Sequence, residues 1–268
     1  MLPYIKIGNE EISKLIVGSN PFVGKSHLDT ATDIEMKDYY TYENIYKTLA
    51  ECEKCGINAI QSRGSHPLLD IVKGYNEKGG NIKHICTSAK SLDTFDAELD
   101  DMCKYNPCAI AIHGELADAL YENGKLDIIP ALLDKIRKKG IPCGLCAHYP
   151  EVLAYSEKKG WKPDFYMASL YNLTKKDRSN DIIKTGERFE EADREIMLDV
   201  VKKLSAPTIV LKILGAGRRC NSQNEVEKTF SEVFSKIKEN DAVLVGMFDK
   251  NIEQVRLDCE YTIKALKI

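Results

Sequence analysis

The chain has 268 residues, 43% hydrophobic and 29% charged, enough to bury one large core under an ordinary charged surface. A formal net charge of −3 excludes a global pull toward nucleic acid or an anionic membrane. No apolar run approaches the ~20 residues that span a bilayer, and the opening MLPYIKIGNEEISK lacks an apolar signal core, so a cytoplasmic location is expected.

In chain order, a short hairpin is followed by apolar segments at Leu15–Ser19, Ile57–Gln61, Ile82–Thr87, Cys108–His113, Cys143–His148, Phe165–Leu170, Thr208–Leu214 and Ala242–Met247. Each is short and nearly continuous, as strands are when helices cover them. Helical stripes alternate with them: Ile45, Leu49 and Cys52; Leu68, Leu69, Val72 and Tyr75; Phe95, Leu99, Met102 and Cys103; Ile129, Leu132, Leu133 and Ile136. A short helix is predicted over Glu151–Lys159, then stripes at Ile196, Met197, Val200, Val201 and Leu204; Phe230, Val233, Phe234 and Ile237; and Ile252, Val255, Cys259 and Ile263. Glycines 56, 79, 140 and 160 stand where left-handed residues stop helices. Eight strand–helix units without a linker predict a single (β/α)8 TIM barrel over residues 1–268, with an N-terminal β-hairpin. Two long irregular segments, Pro21–Tyr40 and Tyr171–Ala192, are expected as lids on the catalytic face.

Nine cysteines in such a chain read as free thiols. Cys52 and Cys55 fall in the last turn of a predicted helix. Cys143 and Cys146 fall on a predicted strand, where residues three apart face opposite ways. No metal site is expected from either pair.

Several stretches resemble the aldo-keto reductase superfamily. KIGNEEISKLIVGSNPFVG is similar to its hairpin and first strand. AHYPEVLAYSEKKGWKPDFYMASLYNLTKKDR is similar to its fifth and sixth strands, with Tyr-Asn following, and TIVLKILGAGRR and VLVGMFDKNIEQV to its last two strands. The resemblance implies carbonyl reduction with NADP as the cofactor. It also implies cofactor contacts at Asn172, Lys212, Gly215, Gly217, Arg218 and Met247. The family's chemistry uses Asp and Tyr after the second strand, Lys after the third and His after the fourth. Here Gln61 stands at the Asp position, no Tyr is nearby, Ser88 aligns with the Lys, and His113 matches the His.

The candidate catalytic residues are therefore His113, His66, Lys90 and Gln61. His66 follows Arg63 in the loop after the second strand and could replace the missing acid, since imidazole titrates near neutrality; Ser65-His66-Pro67 also reads as a helix entry. His148 ends the fifth strand, with helix capping as the alternative role. Histidines on successive strand ends could together hold a metal, with Glu115 as the one carboxylate suitably placed. Lys212, Arg218 and Arg219 around LGAGRR suit a phosphate, because the glycines let backbone approach and the arginines offer forked donors. His27 and His84 have no expected role, and acidic Glu190, Glu191, Asp193 and Glu195 suit a helix's first turn. Two enzyme classes fit: a divergent oxidoreductase, or a lyase or isomerase acting on a phosphorylated metabolite. A catalytically silent protein binding a small molecule is the third.

Overall fold

In the computed structural model, which describes residues 2–173 and 189–267, strands β1 (Tyr4–Ile7) and β2 (Glu10–Ser13) form an antiparallel hairpin. Eight parallel strands then close a barrel: β3 (Leu15–Gly18), β4 (Ala59–Arg63), β5 (Lys83–Thr87), β6 (Ala109–Ile112), β7 (Cys143–Ala147), β8 (Phe165–Ser169), β9 (Thr208–Leu211) and β10 (Ala242–Gly246). Each pairs with the next in sequence, and β10 returns to β3 with Val243 opposite Leu15. Around them lie α1 (Thr30–Tyr39), α2 (Tyr42–Lys54), α3 (Leu68–Glu77), α4 (Phe95–Cys103), α5 (Gly114–Glu122), α6 (Ile129–Arg137), α7 (Pro150–Lys159), α8 (Glu191–Val201), α9 (Gln223–Lys236) and α10 (Gln254–Ala265).

Strand alternation splits the core into two layers. Ile16, Ala59, Ile85, Ala109, Ala111, Cys146, Phe165, Met167, Ile209 and Leu244 point inward and fill the barrel, while the intervening residues meet the helices. Cys143 and Cys146 fall in different layers, as their spacing requires, and all nine cysteines are free thiols. Ile5, Ile7 and Ile12 of the hairpin join the inner cluster, so the hairpin plugs the end of the barrel where the strands begin. The four predicted stop glycines all have positive φ, from 67° to 101°.

Several expectations need correction. Pro21–Tyr40 is not irregular: it holds a 3-10 turn at Pro21–Val23 and then α1. This helix buries only Met36, so no apolar stripe announced it; Asp29 caps it by accepting from Thr32 N–H at 2.8 Å. Two helices, not one, separate β6 from β7, because His113 caps an additional helix, α5. Strand β4 lies two residues later than expected, since Ile57 still closes the preceding turn on Cys52 O, so Gln61 is mid-strand. Strand β9 stops at Leu211, because Lys212 takes left-handed backbone at φ 59°. Lys212 is therefore not inside a strand. Ile196 and Ile252 are exposed rather than part of the apolar stripes, and Ile252 precedes α10. The second expected lid, Tyr171–Ala192, lies largely outside the described residues.

Candidate active site

Inward-facing phase decides which side chains reach the rim where the strands end. On β4 it runs Ala59, Gln61, Arg63; on β6 it continues from Ala111 to His113; on β7 from Cys146 to His148; on β8 from Met167 to Ser169. Four strands, β4 and the consecutive β6, β7 and β8, thus deliver polar groups to one end of an apolar barrel.

His148 is the best-supported group there. Its Nδ1 lies 2.6 Å from Asp118 Oδ2, and Asp118 Oδ1 also accepts the backbone N–H of His148 at 3.1 Å. The carboxylate comes from α5, is only 9% exposed, and fixes both the ring and the strand end. Because a carboxylate accepts, the ring proton belongs on Nδ1, leaving Nε2 as the outward acceptor. Lys212 Nζ lies 3.4 Å from that Nε2 and 3.3 Å from Ser169 Oγ. Gly114 makes room: a Cβ there would stand 2.9 Å from His148 Cε1. The structure thereby joins α5, β7, β8 and the turn after β9 in one chain, Asp118–His148–Lys212–Ser169.

His113 sits beside it with the opposite tautomer. Its Nδ1 accepts from Glu115 N–H at 3.1 Å, capping α5, so its proton belongs on Nε2. Burial pushes its pKa down to about 3; Glu115 opposes this, while Lys90, His148 and Arg63 add to it. The ring is therefore neutral at ordinary pH and a donor at Nε2. Lys90 Nζ binds Glu115 Oε1 at 2.6 Å. Burial would raise the Glu115 carboxyl, but the Lys90 hydrogen bond and charge hold it below the usual range. Arg63 reaches Glu98 Oε2 at 3.0 Å, with its Nε buried and without a hydrogen-bond partner.

The other expected residues make contacts of their own. His66 is exposed and bonds Asp70 and Asp101, the latter at 3.1 Å. Those hydrogen bonds raise its pKa, and they tie it to α3 and α4 rather than to His113 or Lys90. Gln61 Nε2 is turned to its neighbour, donating to Ser62 O at 2.9 Å. Asn172 is buried, with its N–H donating to Asp193 Oδ2 at 3.0 Å. Gly215, Ala216 and Gly217 are successive left-handed residues after Lys212. Arg218 donates to His27 O at 3.0 Å and Gly215 O at 3.3 Å, and stacks 3.8 Å from the Phe189 ring centroid. Arg219 is paired with Glu191 and Glu232. Met247 is fully buried, its carbonyl accepting from Tyr40 at 2.8 Å.

Sequence reading missed Asp118 and Ser169. Asp118 had a signal, a carboxylate set among Leu116, Ala117, Ala119 and Leu120; Ser169 had only strand parity. Among the described residues no three His, Cys, Asp or Glu side chains converge as a metal site. A cavity of about 320 Å³ opens at the opposite end of the barrel, beside His84 and Cys108, but its Lys83 is paired with Glu10 at 2.7 Å and its Asn76 with Ile82. The chemistry-bearing groups are at the other rim.

No family model and no curated protein matches the chain. Solved structures do. An aldo-keto reductase from Bacillus halodurans, in its holo form, superposes with TM-score 0.61 at 9% identity, over 100% of this chain and 92% of that one. The glycerol dehydrogenase of Gluconobacter oxydans gives 0.58 at 12% identity, over 99% and 96%. The chain has the fold of the aldo-keto reductases. An N-acetylmannosamine-6-phosphate 2-epimerase from Clostridium perfringens is also similar, with TM-score 0.53 and 15% identity over 92% and 91%. The pairing of Asp118 with His148 was not among the features expected from the sequence.

Proposed function

We propose that this reductase-like barrel catalyses proton transfer beside a carbonyl or hydroxyl group of a small phosphorylated molecule, the step shared by isomerases and lyases. The observation that carries the reading is the Asp118–His148–Lys212 chain at the catalytic rim. An imidazole with its Nε2 acceptor outward and a buried carboxylate behind it is built to take a proton, because Asp118 orients the ring and offsets the charge that forms. Lys212 supplies fixed positive charge where oxygen gains negative charge, and the His113 Nε2–H supplies a neutral donor. Lys212, Lys90 and Arg63 bring cationic side chains to the rim, with Lys90 paired to Glu115 and Arg63 to Glu98.

Two of the groups expected to meet a nicotinamide dinucleotide have partners within the chain. Arg218 and Met247, expected to touch it, are engaged with the chain's own Pro21–Tyr40 segment.

The test is exchange of carbon-bound hydrogen in D2O, followed by NMR on a panel of ketose and aldose phosphates. The wild type should exchange at least one member, and His148→Gln should slow it by roughly 10²–10⁴-fold, the usual contribution of a general base. No exchange across the panel, or a fully active His148→Gln, would refute the reading.

A further inference from the structure

The segment between β3 and α2 lies across the loops that follow β9 and β10. Those are the seventh and eighth barrel strands, whose loops commonly bind phosphate in this architecture. Contacts run along the segment's whole length. Gly246 closes on Pro21: a Cβ there would stand 3.0 Å from Pro21 Cδ. His27 O accepts from Arg218 at 3.0 Å. Leu28 rests on Gly217, where a Cβ would come within 2.9 Å. Glu35 pairs with Lys250 at 2.8 Å. Tyr39 donates to Asp249 O at 2.9 Å and Tyr40 to Met247 O at 2.8 Å, while Asp249 N–H donates back to the Tyr40 hydroxyl at 3.1 Å. Phe22, Tyr39, Tyr40 and Phe248 interlock as an aromatic cluster with centroids 4.7 to 5.8 Å apart.

These contacts use the groups a dinucleotide phosphate would need. The Arg218 guanidinium is turned to backbone carbonyls and to Phe189, and Leu28 covers the backbone of the left-handed turn. We infer that Pro21–Tyr40 is a built-in specificity element that occupies the dinucleotide groove and confines ligands to the His113–His148–Lys212 sector. The segment has its own reasons to stay folded. Asp29 caps α1, and the Asp33 carboxylate accepts both Ser26 N–H and Ser26 O–H at 2.6 Å. Exclusion of the dinucleotide is thus paid for within the segment, and it holds whatever reaction the open sector performs.

NADPH fluorescence titration of the full chain tests this. The wild type should show no saturable binding. A variant that loosens the docked face, Leu28→Ser with Tyr39→Phe and Lys250→Ala, touches neither His148 nor Lys212 and leaves the buried Tyr40 in place. It should exchange amides 26–40 faster and bind NADPH saturably, because affinity scales with the fraction of molecules whose groove is open. Saturable NADPH binding by the wild type would overturn the inference. So would a variant that gains no affinity, since the segment would then not be the barrier.

Discussion

His113 and His148 are neighbours wired in opposite senses. The first gives its Nδ1 lone pair to a helix N-terminus and keeps a donor outward; the second gives its Nδ1 proton to Asp118 and keeps an acceptor outward. A donor and an acceptor on adjacent strands can serve the two sides of one proton transfer. The burial that keeps His113 neutral also has a stability signature. Its pKa falls from 6.5 to about 3 on folding, so between those values the unfolded chain binds a proton that the native chain refuses. Stability from this group is complete above pH 6.5 and is lost as pH falls toward 3. Buried His84, lowered to about 4 by the same cause, acts in the same direction. Thermal unfolding of His113→Gln should therefore fall less steeply than wild type between pH 6.5 and 4. Parallel curves would show that the imidazole is protonated in the native protein.

At the scale of elements, α5 carries the site's support, since it provides the His113 cap, Glu115 and Asp118 within six residues. Gly114 at its start is where that helix crowds β7. Alanine at a helical glycine ordinarily stabilises by about 0.5–1 kcal/mol. Here its methyl would meet His148 Cε1 at 2.9 Å and Cys146 Sγ at 3.3 Å. Gly114→Ala is expected to lose that gain to overpacking of about 1–3 kcal/mol, and to cut the proposed proton transfer by turning His148 off Asp118. Unfolding in urea beside the exchange assay separates the two effects; full activity would show that the ring has room to move. The same element marks how far the sequence could be read. Apolar runs located all eight barrel strands, because burial on both faces writes itself into composition. The ends of β4 and β9 were hidden, since a hydrogen-bonded turn at Ile57 and a left-handed Lys212 leave no periodic trace. Asp118 was marked only as a carboxylate among apolar residues: its partner is 30 residues away in sequence and meets it only through the crossover geometry. His66 read well as a replacement acid from its place in the chain, but two carboxylates from α3 and α4 claim it.

For the whole molecule, both ends of the barrel are closed by parts that are not barrel strands. At the rim Pro21–Tyr40 covers one side; at the base Ile5, Ile7 and Ile12 seal the interior. Ile12 is fully buried, and Ile12→Ala should cost about 2–5 kcal/mol by opening a void against the inner layer. Chemical denaturation would read that loss, and ligand affinity at the distant rim should stay close to wild type. A loss below about 1 kcal/mol would mean that the hairpin packs loosely and is not a structural plug.

The pairing of β3 with β10 has a consequence for biogenesis. Leu15 is synthesised well before Val243, its neighbour in the sheet. At ordinary elongation speeds the nascent chain waits on the order of ten seconds or longer for that partner. Until then β3 presents a bare, wholly apolar edge, the kind that recruits other chains. The hairpin that later plugs the base is adjacent in sequence, and its isoleucines too have no barrel to enter. Newly made chains should thus lean on a chaperone that shields the hairpin and β3, and a ribosome stalled before Ala242 would release a product prone to aggregate rather than a smaller barrel.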